Sequence, residues 1–316
     1  MPAFDASTLI GGPAIITFDS AVIYTEGDIE VTIKRETRER SVSAFGSLGK
    51  ILLDVSVELK FRPAQYKNLD KLFPHLATAR GTRVFGSTDK AIVVQSITEG
   101  NKYTYARGAV TGIAPLNMGV SKDGLIGDMT LTALKANATN LHGANSIVAV
   151  ASQSFSDTSF DPTKLFDVPY SVAYGSSPFD AMDTAEGVDV AFDLKLEPVV
   201  TDQGGLVDMR LDDIMVKATF EPRGISHANF LTLLAMQGSG VKRGTFLGPN
   251  SSTDLVIAGD TAGQPKVTLY KAYIDEDSAA RWGATSDYQG KVTFVASRRI
   301  STGAASAIAQ VSTVSA

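Results

Sequence analysis

The same amphipathic stretch occurs twice in this chain of 316 residues. The segments "DVSVELKFRP", beginning at Asp54, and "DIMVKATFEP", beginning at Asp213, have Asp, Phe and Pro at the same three positions and alternate apolar with polar residues between them. Alternation with a period of two predicts a β-strand that buries one face. The repetition of this strand pattern 159 residues further along the chain predicts that the fold contains two copies of one module.

Other blocks repeat in the same order along the chain. The segment "TEGDIEVTIKRE" from Thr25 resembles "AEGVDVAFDLKLE" from Ala185, because Glu-Gly leads into an alternating apolar run in both. Further on, "MGVSKDGLIGDMTLTA" from Met118 resembles "WGATSDYQGKVTFVA" from Trp282. Since the order is kept, the duplication extends over most of the chain rather than over one strand.

The repeats predict a mainly β fold of two tandem β-sandwich or barrel modules, each with one flanking α-helix and a long inter-strand loop. We expect the first module over residues 1–140, a linker over 141–165, the second module over 166–300 and a C-terminal arm over 301–316. The linker and the arm are rich in small polar residues and show no sustained hydrophobic period, which is typical of connecting segments.

A helix is expected after each repeated strand, because Pro63 and Pro222 end the strands and suit the first turn of a helix. In the first module, Tyr66, Leu69, Leu72 and Phe73 follow at helical spacing. In the second module, Ser226 is expected to cap the helix that begins with "HANFLTLLAM".

Long loops are expected before the repeated strands. The segment "ETRERSVSAFGSLGK" lies between a strand ending near Arg35 and one beginning near Ile51, and "EPVVTDQGGLVDMR" from Glu197 takes the same place in the second module. Loops of this length are usually functional or disordered. Both end in Gly and a large apolar residue, so we expect each to extend towards another subunit.

Composition excludes several functions. The net charge of −5 divides into +2 for residues 1–150, with 16 basic and 14 acidic residues, and −7 for residues 151–316, with 13 basic and 20 acidic residues. No basic block offers a nucleic-acid footprint, so tight DNA binding is disfavoured. No apolar run reaches about 18 residues, and the N-terminus lacks a basic region followed by a long apolar one. We therefore expect folding in a cytoplasm without membrane insertion.

No constellation of residues predicts an enzyme. Zero cysteines exclude disulfides and thiolate metal sites, and the three histidines, His75, His142 and His227, show no metal-ligand spacing. No nucleophile elbow of the Gly-x-Ser-x-Gly type is present. The acidic "DED" at Asp275 lacks the ligand pattern of a calcium loop and is predicted to be a solvated turn. Trp282, which takes the place of Met118 in the repeat, is predicted to pack in the core or an interface. We expect no catalytic residue, cofactor or metal.

The paired blocks, the order of strand and helix, the long charged loop and the opening "GGPAIITFDSAVIYTEGDIEVTI" resemble the major tail tube proteins of long-tailed bacteriophages, in particular those of transposable siphophages. The resemblance covers residues 10–300 and implies a β-sandwich with a flanking helix. It also implies that six modules form a ring, that rings stack into a tube through the long loop, and that the tube conducts DNA. Since each chain carries two modules, three chains would form a ring of threefold symmetry that mimics a hexamer.

The resemblance further implies a virion location in the phage tail after assembly in the bacterial cytoplasm. The expected partners are other copies of the chain, the tape measure protein, the tail terminator and distal tail proteins, and double-stranded DNA in transit without sequence-specific binding. The residues expected at the contact between rings are Glu39, Arg40, Phe45, Leu48 and Leu206. The acids expected to face the channel, where negative charge would let DNA slide, are Glu30, Glu58, Asp189 and Asp193.

Two alternatives remain open from the sequence. A tail terminator or baseplate ring protein has the same fold and stops at a single ring. A carbohydrate-binding module of a host-attachment protein would also be a β-sandwich, but it needs exposed aromatic rings that stack on sugars. The chain has one Trp, and most of its Tyr and Phe residues fall on apolar positions of strands or helices.

Overall fold

The computed structural model describes residues 14–42, 46–85, 90–97, 100–119, 127–136, 147–152, 169–201, 205–234, 253–274, 290–296 and 307–314. Over these residues the fold is mainly β, as the alternating patterns predict, and the strands form two sheets of eight. Among the same residues, no helix is long and apolar enough to cross a membrane.

The strands of the two halves follow each other in corresponding order. The first half contains β1 (Ala14–Phe18), β2 (Ala21–Ile23), β3 (Thr25–Val42), β4 (Gly46–Pro63), β5 (Lys90–Ser96), β6 (Asn101–Gly112), β7 (Leu116–Met118), β8 (Met129–Leu134) and β9 (Val148–Ser152). The second half contains β10 (Tyr170–Tyr174), β11 (Asp183–Thr201), β12 (Gly205–Arg223), α1 (His227–Leu233), β13 (Thr253–Gly259), β14 (Pro265–Ile274), β15 (Val292–Val295) and β16 (Ala309–Thr313).

The two sheets have the same topology. The first runs β1-β5-β6-β8-β4-β3, with β9 paired to β6, and the second runs β10-β13-β14-β15-β12-β11, with β16 paired to β14. Two strands lie outside this correspondence: β2 extends the first sheet beside β1, and β7 joins the second sheet beside β11. Because β7 belongs to the first half of the chain, its pairing with β11 joins the first half to the sheet of the second half.

The core lies where the repeated strands predict it. The apolar residues of the two repeated strands that are buried are Val57, Leu59, Phe61, Ile214, Val216, Ala218 and Phe220. Buried side chains of both halves form one continuous hydrophobic cluster. The alternation fails at one point, because the register of β3 and β4 shifts after the pair Glu36 and Asp54. The alternation, continued back from Val57, predicts that Leu53 points inward and Asp54 outward, but Leu53 is exposed and Asp54 is buried.

The expected long loops are instead the outer halves of two β-hairpins. We call β3 and β4 hairpin 1 and β11 and β12 hairpin 2; their strands are 18 and 19 residues long. Pairing extends to Val42 and Gly46 in hairpin 1 and to Thr201 and Gly205 in hairpin 2. The prediction of loops was wrong because much of the outer part is solvent-exposed in hairpin 1, so the sequence there has no period of two.

The predicted helix forms in one half only. In the second half Ser226 caps α1, and its hydroxyl accepts a hydrogen bond from the N–H of Asn229 at 3.2 Å. In the first half two 3₁₀ turns, Leu69–Leu72 and Pro74–Ala77, replace the expected helix. Asn68 is left-handed, with φ of 63°, and Pro74 provides no N–H donor, so a continuous α-helix cannot form there.

Two terminal strands complete the sheets. Strand β9 lies in the stretch predicted to be a linker and pairs with β6, and β16 lies in the predicted C-terminal arm and pairs with β14. Both pairings are antiparallel and start at corresponding residues, since Tyr105 is opposite Val148 and Leu269 is opposite Ala309.

Candidate interaction surface

The two hairpins have the same register. Glu36 is opposite Asp54 in hairpin 1, and Lys195 is opposite Asp213 in hairpin 2. Each residue of the second pair therefore lies 159 positions after its counterpart in the first. A bulge follows this pair in both hairpins, and another lies near each tip at positions also 159 residues apart. A slip of one residue would exchange the two faces of a strand. Because the register is the same in both hairpins, residues 159 positions apart lie on the same face and can be compared directly. We call residues related by this offset matched residues.

The base of hairpin 2 is covered by the first half of the chain. Strand β7 pairs with the outer edge of β11, so that Leu116 is opposite Val190 and Met118 is opposite Val188. All four of these side chains are buried. Gly187 lies so close to this strand that a Cβ atom there would be 2.3 Å from the carbonyl oxygen of Met118. The β11 edge is therefore sealed by an added strand.

The outer part of hairpin 2 is also paired, on its other edge. The N–H of Gly81 donates to the carbonyl of Leu211 at 2.7 Å, and the N–H of Leu211 donates to the carbonyl of Thr82 at 2.9 Å. Further along, the N–H of Val84 donates to the carbonyl of Met209 at 2.7 Å. A segment of the first half thus lies beside β12 as a short additional strand.

A buried carboxylate fixes the end of this segment. The Oδ1 atom of Asp208 accepts hydrogen bonds from the N–H of Phe85 at 3.0 Å and from the N–H of Met209 at 2.7 Å. The Phe85 ring is buried in a small cluster with Ala109 and Leu134. The guanidinium of Arg107 lies 5.8 Å from the centre of that ring.

The tip of hairpin 2 rests on the first half at Asp54. The N–H of Leu206 donates to Oδ2 of Asp54 at 2.8 Å, and the side chain of Leu206 packs against the Phe85 cluster. Arg107 donates to the carbonyl of Val207 at 2.8 Å. The Nζ atom of Lys135 lies 3.5 Å from Asp54. Asp54 is buried at this contact, so its charge is balanced by an ion pair and by backbone donors.

The terminal strand β16 is covered in the same way. The N–H of Ile308 donates to the carbonyl of Leu76 at 2.9 Å, which joins the end of the chain to the 3₁₀ turns of the first half. Strand β16 packs against both turns. The first half therefore covers the second with three elements: β7, residues 81–85, and the 3₁₀ turns. We call these three elements the covering surface of the first half.

The corresponding parts of the first half are bare among the described residues. Leu52 is 54% exposed, whereas its matched residue Leu211 is 0% exposed. Val31 is 44% exposed and its matched residue Val190 is 0% exposed. The other large apolar residues exposed on hairpin 1 are Ile33, Leu48, Ile51 and Leu53. Strand β3 is the edge of its sheet, and β4 has β8 as its second neighbour only at Val57–Phe61.

Strand β9 shows the same contrast with β16. Val150 is 62% exposed, and Val311, which occupies the corresponding place in β16, is 6% exposed. Within the described part of the chain, hairpin 1 and β9 together present unpaired strand edges and exposed aliphatic side chains, which a monomeric protein normally avoids. We call this combination the bare surface.

The residues expected at the contact between rings are divided between the hairpins. Glu39, Arg40 and Leu48 are exposed near the end of hairpin 1, and Phe45 lies outside the described residues. Leu206 is half-buried on the first half of its own chain rather than extended into solvent.

The acids expected to face a channel share one face of each hairpin. Glu30 and Glu58 lie on the same face of hairpin 1, and Nζ of Lys34 is 2.6 Å from Oε1 of Glu58. Asp189 and Asp193 lie on the matching face of hairpin 2. Lys34 is matched by Asp193, and Glu58 is matched by Lys217, so acid and base are interchanged between the two hairpins. The face of hairpin 1 is therefore mixed in charge rather than acidic throughout.

The described residues contain no group of three or more side chains that could hold a metal ion. His75 is buried, and its Nε2–H donates to the carbonyl of Val110 at 2.7 Å. Burial lowers the pKa of His75, and the hydrogen bond to Val110 partly opposes this effect. His142, Asp275 and Trp282 lie outside the described residues, as does the side chain of His227.

Sequence reasoning missed the covering surface, although a signal for it exists. The segment "RGTRVFG" from Arg80 contains the strand that pairs with β12, and "RGTFLG" from Arg243 repeats it with one residue fewer. The repeated Asp at the start of the two strands also marks the contact, because Asp54 receives the tip of hairpin 2.

A scan against protein-family models and a search of curated proteins each found no match to this chain.

Proposed function

We propose that the protein is a structural subunit that polymerises as stacked rings into a phage tail tube. Three chains with two modules each form one ring of six modules, and the rings enclose a channel for DNA and the tape measure protein. The tail terminator and distal tail proteins bind the ends of the tube. The proposal combines the resemblance of the sequence to tail tube proteins with the bare surface on an otherwise covered pair of modules.

A single observation carries the proposal. Hairpin 1 and hairpin 2 have the same register, but among the residues that the structure describes only hairpin 2 has its outer strand edges and apolar side chains covered. A closed ring of modules pairs every such edge, and it does so without leaving a free end. A subunit in which one copy of a surface is covered and the other copy is exposed is suited to repeated association with further copies of the same chain.

The ends of the hairpins remain available for contacts between rings. Glu39 and Arg40 carry opposite charges side by side at the exposed end of hairpin 1. Leu206 contacts its own chain, so its role is at the junction of two modules. In this proposal Glu39, Arg40 and Phe45 meet the next ring, and Leu48 lies beside the lateral contact.

The channel is lined by the polar faces of the hairpins. Duplex DNA carries about one negative charge per 1.7 Å, so a strongly basic lining would hold it. The faces that carry Glu30, Glu58, Asp189 and Asp193 hold lysines that are in part paired with acids, as Lys34 is with Glu58. Such a lining contacts DNA without retaining it.

Electron microscopy of the purified protein tests the proposal. Negative-stain images are recorded over a series of protein concentrations, and light scattering gives the mass of the smallest assembly. The expected result is hollow filaments with a regular axial repeat, built from units of three times 33.4 kDa. Single rings that never stack would instead favour a terminator or baseplate ring, and a monomer at every concentration would overturn the proposal.

A further inference from the structure

We propose that two copies of this chain form a closed dimer in which strand β3 of one copy pairs with strand β3 of the other. The two strands are antiparallel and are related by a twofold axis at Thr32. This dimer is a state of the free chain and goes beyond the proposed tube, because it uses the edge of hairpin 1 before any ring forms. The residues around Thr32 are complementary to themselves when the strand is reversed.

The outer edge of β3 is regular and uncovered from Glu30 to Glu36. Over this stretch β3 pairs with β4 without interruption, and the described part of the chain has no strand on its other side. A register shift between Glu26 and Glu30 precedes the stretch, and another shift follows Glu36. A regular, unpaired strand edge of this kind is a template for pairing with another chain.

Opposite charges meet when this edge pairs with itself. In an antiparallel pair centred on Thr32, Glu30 of each copy lies opposite Lys34 of the other. Both positions share the face that carries Glu58, whose Oε1 atom lies 2.6 Å from Nζ of Lys34. The pairing therefore places each lysine between its own Glu58 and the partner's Glu30. Opposite charges at such cross-strand positions stabilise a β-ladder.

Apolar side chains meet on the other face of the same strands. Val31 of each copy lies opposite Ile33 of the other, and both side chains are exposed in the single chain. Their neighbours across hairpin 1 are Leu59 and Val57, which are buried. The dimer therefore extends the buried face of the sheet across its uncovered edge. Burial of these aliphatic side chains removes apolar surface from water and stabilises the contact.

The neighbouring registers are less favourable than the one centred on Thr32. A slip of one residue would bring the polar face of one strand onto the apolar face of the other. A slip of two residues towards the tip would place Glu30 of each copy opposite Glu36 of the other. A slip of two residues in the other direction would need residues 27–29, which lie in the β-bulge.

Hairpin 2 lacks this complementarity. Glu30 is matched by Asp189, so this position is acidic in both hairpins. Lys34 is matched by Asp193, so β11 paired with itself in the same register would bring acids together. The edge of β11 is also occupied by β7 at residues 188–190. The lysine is therefore present only on the hairpin whose edge is uncovered.

The dimer cannot grow by this contact. An isologous contact uses the same edge of both partners, so no copy of that edge is left for a third chain. In a chain with the proposed function, ring and dimer compete for hairpin 1, and the dimer keeps subunits in solution out of the tube. This consequence rests on the proposed function, whereas the dimer itself does not.

Disulfide trapping tests the pairing, since the chain has no native cysteine. Thr32→Cys places a thiol opposite itself at the twofold axis, where opposed Cα atoms are about 4.5–5.5 Å apart, within the range that a disulfide requires. The matched control is Ala191→Cys in hairpin 2. After oxidation at concentrations below those of tube assembly, non-reducing electrophoresis is expected to show Thr32→Cys at twice 33.4 kDa and Ala191→Cys at 33.4 kDa.

Charge reversal provides a second measurement. Glu30→Lys places lysines opposite each other, and Lys34→Glu places glutamates opposite each other. Each variant alone is expected to raise the dissociation constant of the dimer by about tenfold, because both charge pairs change from attraction to repulsion. An equimolar mixture of the two variants restores opposite charges at both positions and is expected to form a dimer of unlike chains. Analytical ultracentrifugation measures the affinities, and circular dichroism checks that each variant is folded.

Three outcomes overturn the inference. A native chain that sediments as a monomer at every concentration below assembly would exclude the dimer. A dimer of unchanged affinity in both charge-reversal variants would use another surface. Equal cross-linking of Thr32→Cys and Ala191→Cys would show contact without a fixed register. Tubes from chains that form no dimer would leave the proposed function standing, and a dimer from chains that form no tubes would overturn the proposed function alone.

Discussion

The backbone N–H of Leu206 donates a hydrogen bond to Oδ2 of Asp54 at 2.8 Å and joins two residues that are 152 positions apart. The other carboxylate oxygen of Asp54 accepts the N–H of Val55 at 2.8 Å and lies 3.5 Å from Nζ of Lys135. This carboxylate is buried where the tip of hairpin 2 meets the first half of the chain. Removing it leaves two partly buried N–H donors without an acceptor.

Asp54→Ala is therefore expected to lower the free energy of unfolding by about 1–3 kcal/mol. Asp213→Ala is the matched control, because no described residue donates a hydrogen bond to that carboxylate in the monomer; its effect is expected to stay within about 0.5 kcal/mol. Urea denaturation of both variants, at concentrations too low for assembly, measures the difference. Equal losses of stability in the two variants would contradict the contact at Asp54.

Leu211 and Leu52 provide a second matched pair. Leu211→Ala removes a fully buried side chain and is expected to lower the free energy of unfolding by about 2–5 kcal/mol. Leu52→Ala changes an exposed side chain, so it is expected to leave the stability of the monomer unchanged and to weaken assembly. Denaturation and light scattering on the same samples check both effects. Normal assembly of Leu52→Ala would argue against a role for this edge.

Shortening each hairpin by the same ten residues separates assembly from folding. Deleting residues 39–48 leaves Gly49 and Lys50 as a two-residue turn between the paired residues Arg38 and Ile51. We expect a folded protein that no longer polymerises. The matched deletion of residues 198–207 removes Leu206 and is expected to reduce stability as well. Circular dichroism and electron microscopy distinguish the two, and tubes of normal length from the first deletion would exclude a role for the end of hairpin 1.

His75 makes stability depend on pH. Its pKa in the folded protein is lowered by burial from an ordinary value of about 6.5, so the unfolded chain binds the proton first as the pH falls. Its contribution is complete above pH 6.5 and is lost as the pH falls from there towards the folded pKa, with a slope of up to about 1.4 kcal/mol per pH unit. Denaturation between pH 5 and 7 measures the slope. His75→Gln, whose amide can donate to Val110, is expected to flatten it.

Charge on the polar face of hairpin 2 is expected to control the passage of DNA. Asp193→Lys places a base at an exposed position of this face and is expected to leave assembly intact while it slows genome ejection, because DNA is attracted to the lining. Asp70→Lys makes the same change of charge at an exposed position of a 3₁₀ turn, outside the strands of the hairpins, and serves as the control. Ejection followed by dye binding gives the rates, and equal rates for both variants would count against a channel role for Asp193.

The sequence predicted the fold class and the buried faces because both depend on local alternation. Val57, Leu59 and Phe61 are buried as expected, and Ser226 caps its helix. The expected helix at Tyr66–Phe73 was wrong, since its apolar residues are buried by two tighter turns. The helical spacing identified which residues are buried there, but it did not determine whether the backbone forms an α-helix or 3₁₀ turns.

The covered contact could not be predicted in the same way, because it depends on residues far apart in the chain. Nothing near Leu206 in the sequence indicates that its N–H meets Asp54. Likewise, the charged residues before Ile51 suggested a loop, although they lie on paired strands. Where strands are exposed on both faces, their pairing depends on the backbone hydrogen bonds and the bulges. The pattern of apolar and polar residues therefore does not predict this pairing.

The covered hairpin 2 has a consequence for the speed of assembly. In the proposed ring of six modules built from three chains, half of the lateral contacts would already exist inside the folded chains, where the two modules remain together whatever the protein concentration. Contacts within a chain correspond to effective concentrations on the order of millimolar for short connections. Three contacts between chains then remain for each ring, of which two require encounters by diffusion and the third closes the ring, so nucleation follows a lower power of the subunit concentration than it would for six separate modules.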